Sequence, residues 1–151
     1  MVTVYLGLGS NIGNRKDTLC RSIVMISGKI GSVVNISSLY ESEAWGYESN
    51  NKFLNAVVEI ETELYPDEIL KDIHEIELTL GRERKNTKAY EDRPIDIDIL
   101  FYGNYVFETE VLTVPHPLLE KRKFVLATLA ENKMEFIHPV LKKKIRTLNE
   151  A

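Results

Sequence analysis

Arg93-Pro94-Ile95-Asp96-Ile97-Asp98-Ile99-Leu100 places isoleucine at every other position and aspartate in two of the gaps. Isoleucine favours strands, and a period of two sends alternate side chains to opposite faces. Ile95, Ile97 and Ile99 then point to a core, while Asp96 and Asp98 stand side by side, roughly 7 Å apart at the backbone. Unscreened, the two carboxylates repel; together they can share a hard cation. A polar strand face also holds two aspartates without any ligand, so the pair alone leaves both readings open. What tips the balance is the segment just upstream. Residues 82 to 93 carry Arg82, Arg84, Lys85, Lys88 and Arg93, five of the chain's nineteen lysines and arginines, with almost no aliphatic residue. That composition predicts a mobile loop. Charge runs are usually solvated surface, but this one leads straight into a carboxylate pair, which suits gathering phosphates.

Outward from this stretch the chain reads as one domain over residues 1–151. Val2, Val4, Leu6 and Leu8 alternate along a first strand, followed by the glycine-rich turn Gly7-Leu8-Gly9-Ser10-Asn11-Ile12-Gly13. Leu19, Ile23, Ile26 and Ile30 mark the buried stripe of a first helix, and Cys20 beside it is expected in the core. A β-branched run from Val33 to Tyr40 predicts a second strand. Glu41 to Asn51 is a polar loop whose Trp45 fits either a satellite of the core or a wall over a ligand. Phe53 to Glu63 predicts a third strand, with Phe53 and Asn55 on one face; an aromatic beside an amide suits a flat heterocycle, and equally ordinary strand satisfaction. Pro66-Asp67-Glu68 opens a second helix with stripe Ile69, Ile73, Ile76 and Leu80, and Gly81 closes it. On it, His74 and Glu77 lie three apart, suiting hydrogen bonds to a base or to water better than a metal. After the aspartate strand, Val106 to Val114 predicts a short hairpin, Pro115-His116-Pro117 an extended link and Leu118 to Asn132 a last helix. The tail's Lys142-Lys143-Lys144 run reads as a solvated face. The order β-α-β-β-α-β predicts an α+β, ferredoxin-like sandwich: a mainly antiparallel sheet with helices packed on it.

Composition narrows the function classes. The net charge of −4 argues against a broad nucleic-acid surface. One cysteine cannot form an internal disulfide, and no apolar run approaches a membrane span, so a cytoplasmic protein without a membrane partner is expected. The turn's G-x-G-x-x-x-G spacing misses the Rossmann fingerprint, and no Gly-Lys-Ser/Thr follows as a Walker loop requires. Three histidines are too few and scattered for zinc. Phosphoryl-type transfer, which needs positioning and charge neutralisation more than covalent help, fits the acidic pair and basic loop.

Gly9-Ser10-Asn11, Phe53-Leu54-Asn55-Ala56, Gly81-Arg82-x-Arg84, Arg93-x-x-Asp96-Ile97-Asp98, and Val114-Pro115-His116-Pro117 followed by Arg122-x-Phe124 occur in that order. Together they resemble the 6-hydroxymethyl-7,8-dihydropterin pyrophosphokinase family of folate biosynthesis, from about residue 3 to 131. The resemblance implies transfer of the β,γ-pyrophosphoryl unit of ATP to the pterin's hydroxymethyl oxygen, leaving AMP. It implies that Asp96 and Asp98 hold two Mg²⁺ ions and that Arg82 and Arg93 act with them in catalysis. It assigns His74, Glu77, Arg84, Lys85, Tyr90, Ile99, Thr113, His116 and Arg122 to ATP. Ser42, Glu43, Ala44, Trp45 and Asn55 would wall the pterin, with Phe53 and Phe124 sandwiching its ring. The chain departs from the family's Trp-Gly-Pro-Arg by reading Tyr90-Glu91-Asp92-Arg93, its proline displaced to Pro94. A monomer acting on small molecules is the expectation. The competing classes are a non-catalytic nucleotide-binding regulator, an RNA-binding module, which would need a basic face with paired aromatics, and a nicotinamide oxidoreductase resting on the glycine turn alone.

Overall fold

The computed structural model describes residues 1–43, 50–82, 92–117 and 137–150. Its centre is a sheet in which β1 (Val2–Ser10) lies between β4 (Phe53–Thr62) and β5 (Asp96–Tyr102), antiparallel to both. Two shorter strands, β2 (Ser32–Ile36) and β3 (Tyr40–Ser42), pair with the outer edge of β4. Helix α1 (Arg15–Lys29) connects β1 to β2, and α2 (Pro66–Thr79) follows β4. The spatial order β2-β4-β1-β5 is the ferredoxin-like one, as the element order predicted. A separate hairpin, β6 (Phe107–Glu108) with β7 (Thr113–Val114), follows β5.

Period-two alternation divides the sheet into two working faces. Val4, Leu6 and Leu8 of β1, Val58 and Ile60 of β4, and Ile97 and Ile99 of β5 pack against Leu19 and Ile26 of α1 and Ile69, Ile73 and Ile76 of α2. Each fully buried aliphatic side chain here contributes about 1.5–3 kcal/mol. The helices begin where capping chemistry starts them. The Asn14 side chain accepts from the Asp17 N–H at 3.1 Å, and the Glu68 carboxylate accepts from the Tyr65 N–H at 3.0 Å ahead of Pro66. Gly81 ends the second helical run with φ of +99°, a conformation that glycine adopts without a Cβ clash.

Three expectations change. The Val33–Tyr40 run is two strands, because Ser37 both donates its N–H to Val57 O (3.0 Å) and accepts the Val57 N–H on its hydroxyl (2.9 Å), ending β2. Cys20 is exposed, not core; the inner position goes to Ser22, fully buried because its hydroxyl donates to Leu19 O at 2.7 Å. The tail carries a short helix, α3 (Ile145–Glu150), which the sequence reading did not anticipate. Ile145 is buried, and the His138 ring packs edge-on against Phe101 at 5.5 Å on the face of the sheet opposite the helices. The helix expected over 118–132 lies outside the described residues. Among the described residues no helix is long and apolar enough to cross a membrane.

Candidate active site

Strand register assembles the site. Gly9 of β1 stands opposite Asp96 of β5 on one side and Asn55 of β4 on the other, and Asn55 stands opposite Tyr40 of β3. One residue pair up the strands, Gly7 lies between Asp98 and Val57. Residues directly opposite in an antiparallel pair point to the same face. Asp96, Asp98 and Asn55 therefore share the face turned away from the helices, with two glycines between them. The glycines keep that face low. A Cβ on Gly9 would come within 3.2 Å of both Asn55 Oδ1 and the Phe53 ring, and one on Gly7 within 3.3 Å of Leu100. Centre strands spaced about 4.8 Å apart put Asp96 and Asn55 roughly 10 Å from each other. That is the span of a small flat molecule and the group it carries.

The aspartates differ in their company. Arg82 donates through Nη1 to Asp96 Oδ1 (3.0 Å), to Glu77 Oε2 (2.7 Å) and to Ile95 O (3.3 Å). Arg93 donates through Nη2 to Asp96 Oδ2 at 3.2 Å, with its guanidinium carbon 5.2 Å from the Phe53 ring centroid. Burial pushes the Asp96 carboxyl up, but Arg93 and Arg82, by charge and hydrogen bond, outweigh it and hold the group below the usual carboxylate range. For Arg82, burial disfavours the cation while Glu77 and Asp96 restore it, leaving its affinity for the proton raised. Asp98 is more open, its side chain 34% exposed, and pairs with His116 Nε2 at 4.0 Å. His116 is placed by its own N–H, which donates to Leu100 O at 3.0 Å.

Glu77 is buried to 1% exposure and accepts from Arg82 and from the Ile97 N–H at 3.0 Å, which ties α2 to β5 beneath the aspartates. Its neighbour in sequence, His74, instead lines a cavity of about 710 Å³ with Leu70, Leu78, Phe107 and Leu112, between α2 and the hairpin. Thr113 follows that wall, exposed on β7. The Ile99 side chain is in the core, so any contact it makes to a ligand is through its main chain. On the other wing, Asn55 spends both amide hydrogens, on Tyr40 O (3.0 Å) and Ser42 Oγ (2.8 Å), leaving Oδ1 facing Gly9 as an acceptor. Phe53 is buried beside it, and Glu43 is exposed, 3.8 Å from Lys52. Ala44, Trp45, Arg84, Lys85, Tyr90, Arg122 and Phe124 lie outside the described residues.

Asn11, just past the end of β1, ties that turn to the entry of β5. Buried to 2%, it accepts the Arg93 N–H on Oδ1 (2.8 Å), donates its own N–H to Arg93 O (3.2 Å) and donates Nδ2 to Asp92 (2.7 Å). The available signal was an amide, with donor and acceptor on one short side chain, just after a strand in a glycine-rich turn. The donor set also fits a divalent cation. Asp96 and Asp98 offer hard oxygens on one face, and an ionised carboxylate has about four lone-pair positions to share. Among the described residues no three His, Cys, Asp or Glu side chains gather as a cage. A cation here would therefore depend on ligand oxygens and water, as Mg²⁺ commonly does.

Comparison with known proteins agrees in sequence and in shape. Residues 5–134 match the family model described as 7,8-dihydro-6-hydroxymethylpterin-pyrophosphokinase (HPPK). A 2-amino-4-hydroxy-6-hydroxymethyldihydropteridine pyrophosphokinase of Aquifex aeolicus is 42% identical over 146 residues, 97% of this chain and 89% of that protein. The Porphyromonas gingivalis protein of the same name is 43% identical over 141 residues, 92% of this chain and 95% of its own length. In shape, the Plasmodium falciparum HPPK-DHPS solved with pteroate superposes with a TM-score of 0.79 at 18% identity. That match covers 99% of this chain and 42% of the larger protein, and it supports the fold.

Proposed function

The chain belongs to the 7,8-dihydro-6-hydroxymethylpterin-pyrophosphokinase family, and from that premise we propose that residues 1–151 act as one domain transferring pyrophosphate from ATP to 6-hydroxymethyl-7,8-dihydropterin. The products are AMP and the pterin diphosphate, a step of folate biosynthesis. The observation that supports this reading is the row Asp96–Gly9–Asn55, which sets a carboxylate held by two arginines and an amide beside the Phe53 ring at opposite ends of one strip.

Each wing has its task. Asn55 Oδ1 accepts a hydrogen bond from the pterin's donor edge, while Ser42 and Tyr40 hold the amide in that orientation. Phe53 offers its ring, and Phe124, Ala44, Trp45 and Glu43 complete the pocket. Arg82 and Arg93 neutralise the transferring phosphoryl oxygens as charge builds. His116 beside Asp98, with His74, Thr113, the Ile99 main chain, Glu77, Arg84, Lys85, Tyr90 and Arg122, forms the nucleotide side. Two Mg²⁺ ions held by Asp96 and Asp98 would supply Lewis acidity and a template for the polyphosphate. Because the in-line displacement asks for no protein nucleophile, positioning and charge stabilisation are what this chain provides. The protein is proposed to work as a cytoplasmic monomer on these two small molecules.

The test is a product assay. Purified protein with ATP, Mg²⁺ and the hydroxymethyl-dihydropterin is expected to release AMP in proportion to pterin consumed. Formation of ADP, or ATP binding without pterin-dependent turnover, would overturn the reading, the latter in favour of a regulator.

A further inference from the structure

We propose that Asp92 is the positioning residue for Arg93, and that it acts by locking the orientation of the Asn11 amide. The proposal rests on the transfer reading above for what Arg93 does, but its geometry stands apart from it. Asp92 Oδ1 accepts from Asn11 Nδ2 at 2.7 Å, and its Oδ2 accepts from Asn51 Nδ2 at 2.9 Å. One carboxylate thus gathers three separate segments: residue 11 at the end of β1, residue 51 at the entry to β4, and residues 92–93 at the entry to β5.

An amide side chain can sit either way round. With Nδ2 turned to Asp92, Asn11 must present Oδ1 to the Arg93 N–H, which it does at 2.8 Å, while the Asn11 N–H closes a second bond to Arg93 O. Turned over, Asn11 would face that N–H with its own NH₂, donor against donor. The Arg93 N–H and an acceptor at residue 92 both select this orientation, and a carboxylate offers one oxygen each to Asn11 and Asn51. Clamped at both N–H and C=O, Arg93 sends its guanidinium to Asp96 and over Phe53. A displacement of one ångström at such a group is enough to cost a large share of rate.

The experiment is a double-mutant cycle on AMP release together with amide exchange. Asp92→Ala is expected to lower kcat at least tenfold, with the melting midpoint lower by only a few degrees for the acceptor lost by the buried Asn11 amide. Asp92→Asn, which can accept from only one of the two amides, should fall between it and the wild type. In the Arg93→Ala background, Asp92→Ala should cost nothing further, because a residue acting through Arg93 has nothing left to position. Independently of turnover, the Arg93 amide should exchange at least tenfold faster in Asp92→Ala, while the Ile97 amide, bonded to Glu77, stays protected. Additive losses, unchanged kcat, or unchanged Arg93 exchange would each overturn the proposal. If Asp92→Ala does not fold, the same cycle and exchange run on Asp92→Asn decide it by the same criteria. A wild type that releases no AMP sinks the transfer reading alone and leaves the exchange result standing.

Discussion

Asp96 is the residue where the site's opposing demands meet. It is largely shielded, which disfavours charge, yet two guanidiniums keep it ionised. Its pKa is depressed in the folded state, so its stabilising contribution is full above the unfolded value near 4 and is lost as pH falls through the lower folded value. Asp96→Asn is expected to remove part of the acid-induced fall in thermal stability, a change readable by melting curves between about pH 2 and 5. The same variant should lose at least about 100-fold in kcat, the scale of removing one preorganised electrostatic group. The carboxylate pair was legible as a pattern, since alternation alone puts Asp96 and Asp98 on one face. Their different partners were not, because Arg82 is fourteen residues away from Asp96 and reaches it only once Glu77 has anchored the arginine to α2.

At the level of elements, β1, α1, α2 and β5 could be read directly, since each carries a hydrophobic period, a cap or a glycine stop that acts locally. What escaped depended on contacts made elsewhere. Ser37 ends β2 through Val57, twenty residues on, and Ser22 enters the core only because its hydroxyl finds an acceptor in its own helix. α3 is stabilised where Ile145 is buried, a fact that no local signal in a lysine-rich tail carries. Between β1 and β4 the glycines matter as much as any polar group. Gly9→Ala would press on Asn55 Oδ1 and Phe53 at 3.2 Å, at a cost of about 1 kcal/mol. The expected result is a KM for the pterin raised about fivefold, with the KM for ATP and the far-ultraviolet circular dichroism little affected.

Across the whole molecule, the ferredoxin-like order does two jobs with one sheet: its apolar face packs on the helices and its opposite face carries the proposed site. Because β1 sits between β4 and β5, one strand sets the position of Phe53 and Asn55 relative to the aspartates. The arrangement of Glu77, Asp96, Asp98, Arg82 and Arg93 has a consequence for what can enter. Three carboxylates and two guanidiniums leave these five side chains with one net negative charge, and Asp96 already serves as counterion to both arginines. A free nucleotide triphosphate, itself a polyanion, meets no surplus of positive charge in these five side chains. Divalent cations held by Asp96 and Asp98 would offset that charge and leave Arg82 and Arg93 available to the phosphates. Calorimetric titration with ATP is therefore expected to show affinity at least tenfold weaker in the presence of a chelator than with Mg²⁺. On the proposed reading the arginines would act as internal salts, exchanging Asp96 for phosphate when metal ions bind.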